Sequence, residues 1–256
     1  MAPLDSSSGP IDAVAGRIPS PVLALLTALL LAVVGLGGGS LIGLAVAEAL
    51  GSAGIDLPLV ASTVLSTVLL QGLTFFGLSA FYLRYRGFDL EYVGVRTPDL
   101  EGWIYVGAGY VLAFVTAITM IFVVVFLLGL TPAQNRAGEL GQQDPRIFLV
   151  LIVLAFVLIG PGEELLFRGI IQSRLRETFS APVGLAVATA IFAAAHAGSL
   201  SGPTSGVALT ITLLFFPGLV FAITYEMTDN VVVPAIIHGL YNATLFALAY
   251  VSTVAG

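Results

Sequence analysis

The sequence contains no cysteine and no lysine, and charged residues make up only 9% of its 256 residues. Without cysteine there can be no disulfide, no thiolate zinc site and no cysteine nucleophile. A soluble domain normally has roughly a quarter of its residues charged. The scarcity of charge therefore argues against an ordinary soluble domain.

Basic residues are scarce, and all nine of them are arginine, against 15 aspartates and glutamates. Proteins that bind nucleic acids attract the phosphate backbone with clusters of basic side chains. This acidic, lysine-free composition offers no such cluster, so we expect no nucleic-acid partner.

Hydrophobic residues are abundant, at 58% of the chain. A helix needs about 20 apolar residues to cross the hydrocarbon core of a bilayer. The sequence has seven apolar runs, and all but one short run approach or exceed that length. The runs cover about 22–50, 58–83, 103–130, 146–162 (extending to about 172), 183–198 (the short one), 207–225 and 231–252. They predict an all-α fold, a polytopic membrane helix bundle of seven to eight transmembrane helices. The eighth helix requires one run to divide, for example at Pro217.

The polar segment 1–20 is rich in proline, glycine and serine and predicts a flexible tail. The remaining residues, 21–256, then form a single transmembrane domain. The small residues of "AVAEA" at 45–49 resemble a signal-peptidase site, but the apolar run before them is far longer than the about 7–15 apolar residues of a signal peptide. We therefore expect this run to be retained as a helix.

The placement of arginine predicts the orientation in the membrane. If the N-terminus is inside the cell, six arginines lie on the cytoplasmic side: Arg17, Arg84, Arg86, Arg96, Arg174 and Arg176. Only Arg136 and Arg146 then lie outside. Because cytoplasmic loops carry an excess of basic residues, the sequence predicts a multi-pass protein of the cell membrane with a cytoplasmic N-terminus.

The glycine-rich stretch "GLGGGS" at 35–40 has the composition of a phosphate-binding loop. It follows no strand and fits the spacing of neither phosphate motif. Small residues also allow membrane helices to approach closely, and we expect this stretch to serve helix packing.

Six polar side chains interrupt the apolar runs in the second half of the chain. An ionisable side chain at the bilayer centre costs about 2.5–3.5 kcal/mol on insertion scales and usually marks a functional site. The six are Glu163, Glu164 and Arg168 in the fourth run, His196 in the fifth, and His238 and Asn242 in the seventh. The two histidines are the only ones in the sequence.

Helical spacing gives each of these groups a direction. Glu164 and Arg168 are four residues apart and can pair on one helix face. The same spacing places His238 and Asn242 on one face, whereas Glu163 is turned by about 100° from Glu164. Three helices thus each present a polar face, and the shared need for polar partners predicts that these faces meet.

Each group taken alone also has an ordinary structural explanation. A glutamate–arginine pair can lock a helix end, a buried histidine can be a packing residue, and Asn242 can hydrogen-bond between helices. The combination contains a base, a group that can position water and donors for an oxyanion, which are the parts that peptide hydrolysis requires.

Three ordered motifs carry a family resemblance: Glu-Glu-x-x-x-Arg in "EELLFR", Phe-x-x-x-His in "FAAAH" and His-x-x-x-Asn in "HGLYN". In this order, in hydrophobic helices, the chain resembles the CPBP family, the CaaX protease and bacteriocin-processing membrane proteins, also called Abi proteins. The family includes the Ras-converting CaaX prenyl endopeptidase. The resemblance covers about 146–252, which we expect to hold the catalytic core, and the residues before it match only as generic membrane spans.

The resemblance implies an intramembrane glutamate protease. Glu163 would be the general base that activates water, and His196 would hold the same water. His238 and Asn242 would donate hydrogen bonds to the oxyanion of the tetrahedral intermediate. The implied supporting residues are Glu164, Arg168 and Phe192. The first two would orient the general base or contact the substrate.

The resemblance further implies a membrane-associated peptide or protein as substrate, cleaved near its C-terminus by intramembrane proteolysis. The sequence leaves open whether that substrate is prenylated, otherwise lipidated or unmodified.

Three alternatives stay open at this stage. No cofactor is expected, but Glu163, His196 and His238 could instead hold zinc as a His₂Glu site. The chain could also be a proton- or ion-coupled transporter, in which buried glutamate and histidine form a relay, although no internal repeat is visible. The third alternative is a non-catalytic membrane scaffold or bacteriocin-immunity protein.

Overall fold

The computed structural model describes residues 19–255, so the predicted flexible tail lies almost wholly outside the described residues. Seven helices in this part are long and apolar enough to cross a membrane. We label them α1 (Ser20–Ser52), α2 (Leu59–Arg86), α3 (Leu100–Leu127), α5 (Arg146–Arg176), α6 (Ala181–Ser199), α7 (Thr204–Thr228) and α8 (Val232–Ala255). The prediction of an all-α, polytopic membrane bundle is confirmed.

The remaining regular elements lie between α3 and α5 and between α6 and α7. The short helix α4 spans Arg136–Gln143. Strand β1 (Gln134–Asn135) pairs antiparallel with strand β2 (Leu200–Ser201). This two-stranded ribbon ties the α3–α5 connection to the residues that follow α6, so it holds the end of α6 in place.

Helix α5 lies at the centre of the bundle. Half of its most apolar window is buried, against a third or less for every other span of the described part. One apolar core packs its side chains Leu166, Phe167 and Ile170 against α1, α2 and α6. A second core joins α3, α7 and α8 through residues such as Phe221 and Ile237. Polar residues on α5 are therefore surrounded by protein.

Two glycines of "GLGGGS", Gly35 and Gly39, serve helix packing, as the sequence predicts. Helix α1 runs through them without interruption. Gly35 is buried, and a Cβ atom there would lie 3.1 Å from Leu166. At Gly39 a Cβ would collide with the side chain of Leu70. The missing side chains thus let α1 lie close against α2 and α5.

Stretches of π-helix interrupt two of the spans beside the candidate site. They cover Val68–Phe75 in α2, and Ala155–Ile159 and Leu165–Gln172 in α5. A π-turn widens the helix and changes which face a side chain occupies, and such turns are frequent at functional sites. Glu163 and Glu164 lie in the short α-helical stretch between the two π-helical segments of α5.

Candidate active site

The helices bring together most of the polar residues predicted from the sequence. Glu163 and Glu164 lie near the middle of α5, His196 lies at the end of the α-helical part of α6, and His238 lies two turns into α8. Glu164, Arg168 and His238 are almost fully buried. Glu163 is 8% exposed, and His196 is the most accessible of the group, with a side-chain exposure of 23%.

Helix α6 is short, and this places His196, at its end, beside the residues of α5 and α8. Its α-helical part spans Ala181–Ala195, 15 residues. At 1.5 Å per residue this is about 22 Å, less than the about 30 Å thickness of the hydrocarbon core. His196 then begins a single 3₁₀ turn, which leads into β2. The imidazole is therefore placed beside Glu163, with 23% of its side chain exposed.

The carboxylate of Glu163 faces both imidazoles. Its Oε2 lies 3.9 Å from Nε2 of His196 and 4.0 Å from Nε2 of His238. Both distances are too long for a direct hydrogen bond, and both can be bridged by one water molecule. Oε2 is also buried and has no hydrogen-bond partner within residues 19–255. A buried acceptor of this kind needs a partner.

The tautomer of His196 follows from its other nitrogen. Nδ1 lies 2.9 Å from the backbone carbonyl oxygen of Phe192. A carbonyl can only accept a hydrogen bond, so Nδ1 carries a proton and donates. In the neutral ring, Nε2 then has a lone pair directed towards Glu163, which suits it to accept a hydrogen bond from water.

Glu164 is held by two partners. Its Oε1 lies 2.8 Å from Nδ1 of His238. Its Oε2 lies 3.2 Å from Nε of Arg168, an ion pair whose geometry falls short of a hydrogen bond. The resemblance implied that Glu164 and Arg168 orient Glu163 or contact the substrate. In the structure Glu164 contacts the imidazole of His238, and Arg168 contacts Glu164.

Phe192 connects the arginine with the histidines. The guanidinium of Arg168 lies over its ring at 4.1 Å, an arrangement favourable for a cation–π interaction. The same ring meets His196 edge-on at 4.8 Å and His238 at 5.9 Å. Arg168 also donates from Nη2 to the backbone carbonyl of Gly218 at 3.0 Å. Phe192 therefore fills the space between the polar groups.

Asn242 lies apart from this network. It follows His238 by one turn of α8 and is half-buried. In the described part of the chain, no side-chain hydrogen bond or ion pair joins it to the other predicted residues. That Asn242 is an oxyanion donor therefore stays a prediction, which rests on its helical spacing from His238.

Two residues near the site were missed by the sequence reasoning. Phe221 on α7 stacks on the ring of His238, with centroids 4.9 Å apart. Gln71 on α2 donates from Nε2 to Oε1 of Glu163 at 3.4 Å, at the long end of the hydrogen-bond range. Phe221 gives no signal within an apolar run. Gln71 does, because it interrupts the second apolar run, in "VLLQGLTFF".

Zinc was the alternative occupant of this site. Within residues 19–255 no group of three histidine, cysteine, aspartate or glutamate side chains has the spacing that would hold a metal ion. Zinc ligands lie about 2.0–2.2 Å from the metal, so Glu163, His196 and His238 would have to move closer together to bind it. The metal-free and zinc hypotheses are to be separated by experiment.

One comparison with known proteins covers the part of the chain that holds these residues. A protein-family model described as type II CAAX prenyl endopeptidase Rce1-like matches residues 145–244. No curated protein and no solved structure matched the chain. The matched segment contains the six predicted polar residues and Phe192, and it excludes Gln71. The match supports a multi-pass membrane protease of the CAAX type. Residues 145–244 of the chain are therefore similar to the Rce1-like type II CAAX prenyl endopeptidases.

Proposed function

We propose that the chain is an intramembrane endopeptidase in which Glu163 activates water to hydrolyse a peptide bond near the C-terminus of a membrane-associated substrate. The observation that carries the proposal is the position of Glu163 Oε2. This buried oxygen lies about equally far from the Nε2 atoms of His196 and His238, at 3.9 and 4.0 Å. A single water between the carboxylate and the imidazoles would meet the hydrogen-bonding needs of all three groups.

The first step uses Glu163 and His196 together. The bound water donates one hydrogen bond to the Glu163 carboxylate and the other to the Nε2 lone pair of His196. Both water protons are then engaged, and an oxygen lone pair remains to attack the scissile carbonyl carbon. As the bond to carbon forms, Glu163 takes the proton as general base. Later transfer of this proton to the departing amine completes the hydrolysis.

The second requirement is a donor for the oxyanion. When protonated, His238 donates from Nδ1 to Glu164, and its Nε2–H, which faces the water before the reaction, can donate to the oxyanion as the water attacks. Glu164 stabilises that imidazolium at 2.8 Å. The net charge of the site is then zero, because the two carboxylates balance the Arg168 guanidinium and the imidazolium. This balance lowers the free-energy cost of burying the four groups. Asn242 would supply a second donor from the next turn of α8.

Prenylation of the substrate is the finer part of the proposal. The matched family is named for prenyl endopeptidases that act on CAAX sequences. The helices of this chain expose large apolar side chains over most of their length, so a substrate with a lipid anchor would be delivered in the bilayer itself. We therefore propose a C-terminally prenylated peptide or protein as the preferred substrate.

The test uses the full chain in proteoliposomes with a fluorogenic farnesylated CAAX peptide. Glu163→Gln keeps the size of the side chain and removes the base, so we expect cleavage to fall by roughly 10²–10⁴-fold. Glu91→Gln is the matched control, because Glu91 is exposed in the loop between α2 and α3. It should cleave at the parental rate.

Four outcomes would contradict all or part of the proposal in different ways. Cleavage at the parental rate by a folded Glu163→Gln variant would show that Glu163 is not the general base. Absence of cleavage by the parent, with proton or ion flux that depends on Glu163, would indicate a transporter. Absence of both would indicate a scaffold. If the same peptide is cleaved equally well without its farnesyl group, the proposed protease activity stands and the proposed preference for prenylated substrates fails.

A further inference from the structure

Gln71 lies outside the segment that matches the family, yet it contacts the candidate general base. Its Nε2 is 3.4 Å from Oε1 of Glu163, and α2 supplies no other side chain that is hydrogen-bonded to this carboxylate. We propose that Gln71 is a positioning residue that orients the Glu163 carboxylate for catalysis. The inference rests on the proposed function of Glu163.

The chemistry of the two groups determines how they meet. An ionised carboxylate only accepts hydrogen bonds, whereas an amide has two N–H donors and one acceptor oxygen. The amide nitrogen of Gln71 must therefore face Glu163. This bond engages Oε1 and fixes the rotation of the carboxylate about its terminal torsion, which is otherwise broad. Oε2 is then directed at the two imidazoles, where the proposal places the water.

The backbone of α2 is held close enough to α5 to make this contact dependable. Gly162 lies directly before Glu163, and a Cβ atom at that position would be 3.0 Å from the backbone oxygen of Gln71. The absence of a side chain at Gly162 permits this approach. One turn further along α2, the ring of Phe75 meets Phe167 of α5 edge-on at 6.0 Å. The helices α2 and α5 are thus in contact at Gln71 itself and again one turn further along α2.

The π-helical stretch of α2 contributes to the placement. Gln71 lies inside Val68–Phe75, where the hydroxyl of Thr74 donates to the carbonyl of Leu69, five residues earlier. A π-turn shifts the residues that follow it to a different helix face. A regular α-helix through the same residues would direct Gln71 and Phe75 differently relative to α5.

The experiment compares Gln71→Met with Thr67→Val in the full chain, using the farnesylated peptide. Methionine keeps the length and volume of glutamine and removes the donor. Thr67 lies one turn earlier on α2, is buried, and donates only to Thr63 in its own helix. We expect Gln71→Met to lower kcat about tenfold, the equivalent of one hydrogen bond to a charged group, with KM unchanged. Thr67→Val should keep the parental kcat.

Each result has one meaning. Loss of kcat in Gln71→Met alone, at a parental melting temperature, supports positioning. A parental kcat in Gln71→Met overturns the proposal. An equal loss of kcat and of melting temperature in Gln71→Met and Thr67→Val also overturns it, because that result would indicate a structural role. Glu163→Gln is measured in parallel. If Glu163→Gln is inactive and Gln71→Met is fully active, the inference on Gln71 fails and the proposed function stands. If Glu163→Gln is active, the proposed function fails.

Discussion

Glu164 and His238 are joined by a hydrogen bond of 2.8 Å between Oε1 and Nδ1, across 74 positions of the sequence. The other nitrogen of the same imidazole faces Glu163, at 4.0 Å. Two glutamates that are adjacent in sequence therefore meet opposite edges of one ring. Glu164 supports the imidazole, and Glu163 is left to face His196 and the space between the rings.

The two histidines should differ in how much stability they contribute. His238→Ala leaves the fully buried Glu164 with one partner fewer, so we expect loss of activity together with a free energy of unfolding lower by about 1–3 kcal/mol. His196→Ala removes a bond to a carbonyl of its own helix, so we expect loss of activity with a smaller change in stability. Thermal unfolding and peptide cleavage of both variants provide the measurement. Equal destabilisation by the two variants would contradict the assigned contacts.

Arg168 is expected to be essential for stability. It is 1% exposed and pairs with Glu164, which is 0% exposed. Breaking a buried ion pair by removing one partner typically costs about 3–5 kcal/mol, because the remaining charge has lost its compensation. We expect Arg168→Met to lower the unfolding midpoint strongly in detergent. Arg84→Met is the control, since Arg84 is exposed on α2. Similar midpoints for the two variants would contradict the prediction.

Gly160 is expected to tolerate no side chain. A Cβ atom there would lie 2.7 Å from the backbone oxygen of Ala235 on α8 and 3.1 Å from the nitrogen of Gly239. Gly160→Ala should push α5 away from α8, separate Glu164 from His238, and lower both cleavage and stability. Gly37→Ala is the control, because a Cβ at Gly37 meets nothing within 4 Å. This control should be neutral or stabilise by up to about 1 kcal/mol. Parental cleavage by Gly160→Ala would show that the helices can separate without consequence.

Asn242 provides a separate test of oxyanion stabilisation. Removal of one oxyanion donor costs about 10²–10³ in kcat. Because Asn242 makes no side-chain bond to the other site residues in the described part of the chain, Asn242→Ala should lose that factor with little change in unfolding. Thr253→Ala on the same helix is the control, since its hydroxyl donates only to Ala249. If kcat falls no more in Asn242→Ala than in the control, Asn242 is not an oxyanion donor.

Metal analysis separates the water-activating glutamate from the zinc alternative. We expect the purified protein to contain zinc well below one ion per chain and to keep its activity after treatment with a chelator. The measurement is elemental analysis together with the peptide assay before and after chelation. Stoichiometric zinc, with activity that is lost on chelation and restored by zinc, would assign Glu163, His196 and His238 as ligands.

Much of the architecture could be predicted from local sequence. A span is recognised by the length and composition of one segment, because each membrane helix satisfies its own backbone hydrogen bonds. The predicted run 103–130 corresponds to α3, Leu100–Leu127, and the short run 183–198 corresponds to α6. The possible break at Pro217 does not occur, since α7 continues through that residue.

The contacts within the site were less accessible to sequence reasoning. Helical spacing correctly predicted that Glu164 can pair with Arg168, because both lie on one helix. It could not show that His238 is hydrogen-bonded to Glu164 and lies farther from Glu163. Gln71 was overlooked because a single polar residue in an apolar run has many explanations, and its partner is 92 positions away.

The sequence by itself determined which segments enter the membrane and which few side chains are costly to place there, because hydropathy and charge are properties of each segment. Only the tertiary structure decided which of those side chains meet. Partner choice depends on how far α2, α5, α6 and α8 are rotated and how closely they approach. Those quantities arise from the packing of glycines, aromatic rings and π-turns between helices that are distant in sequence.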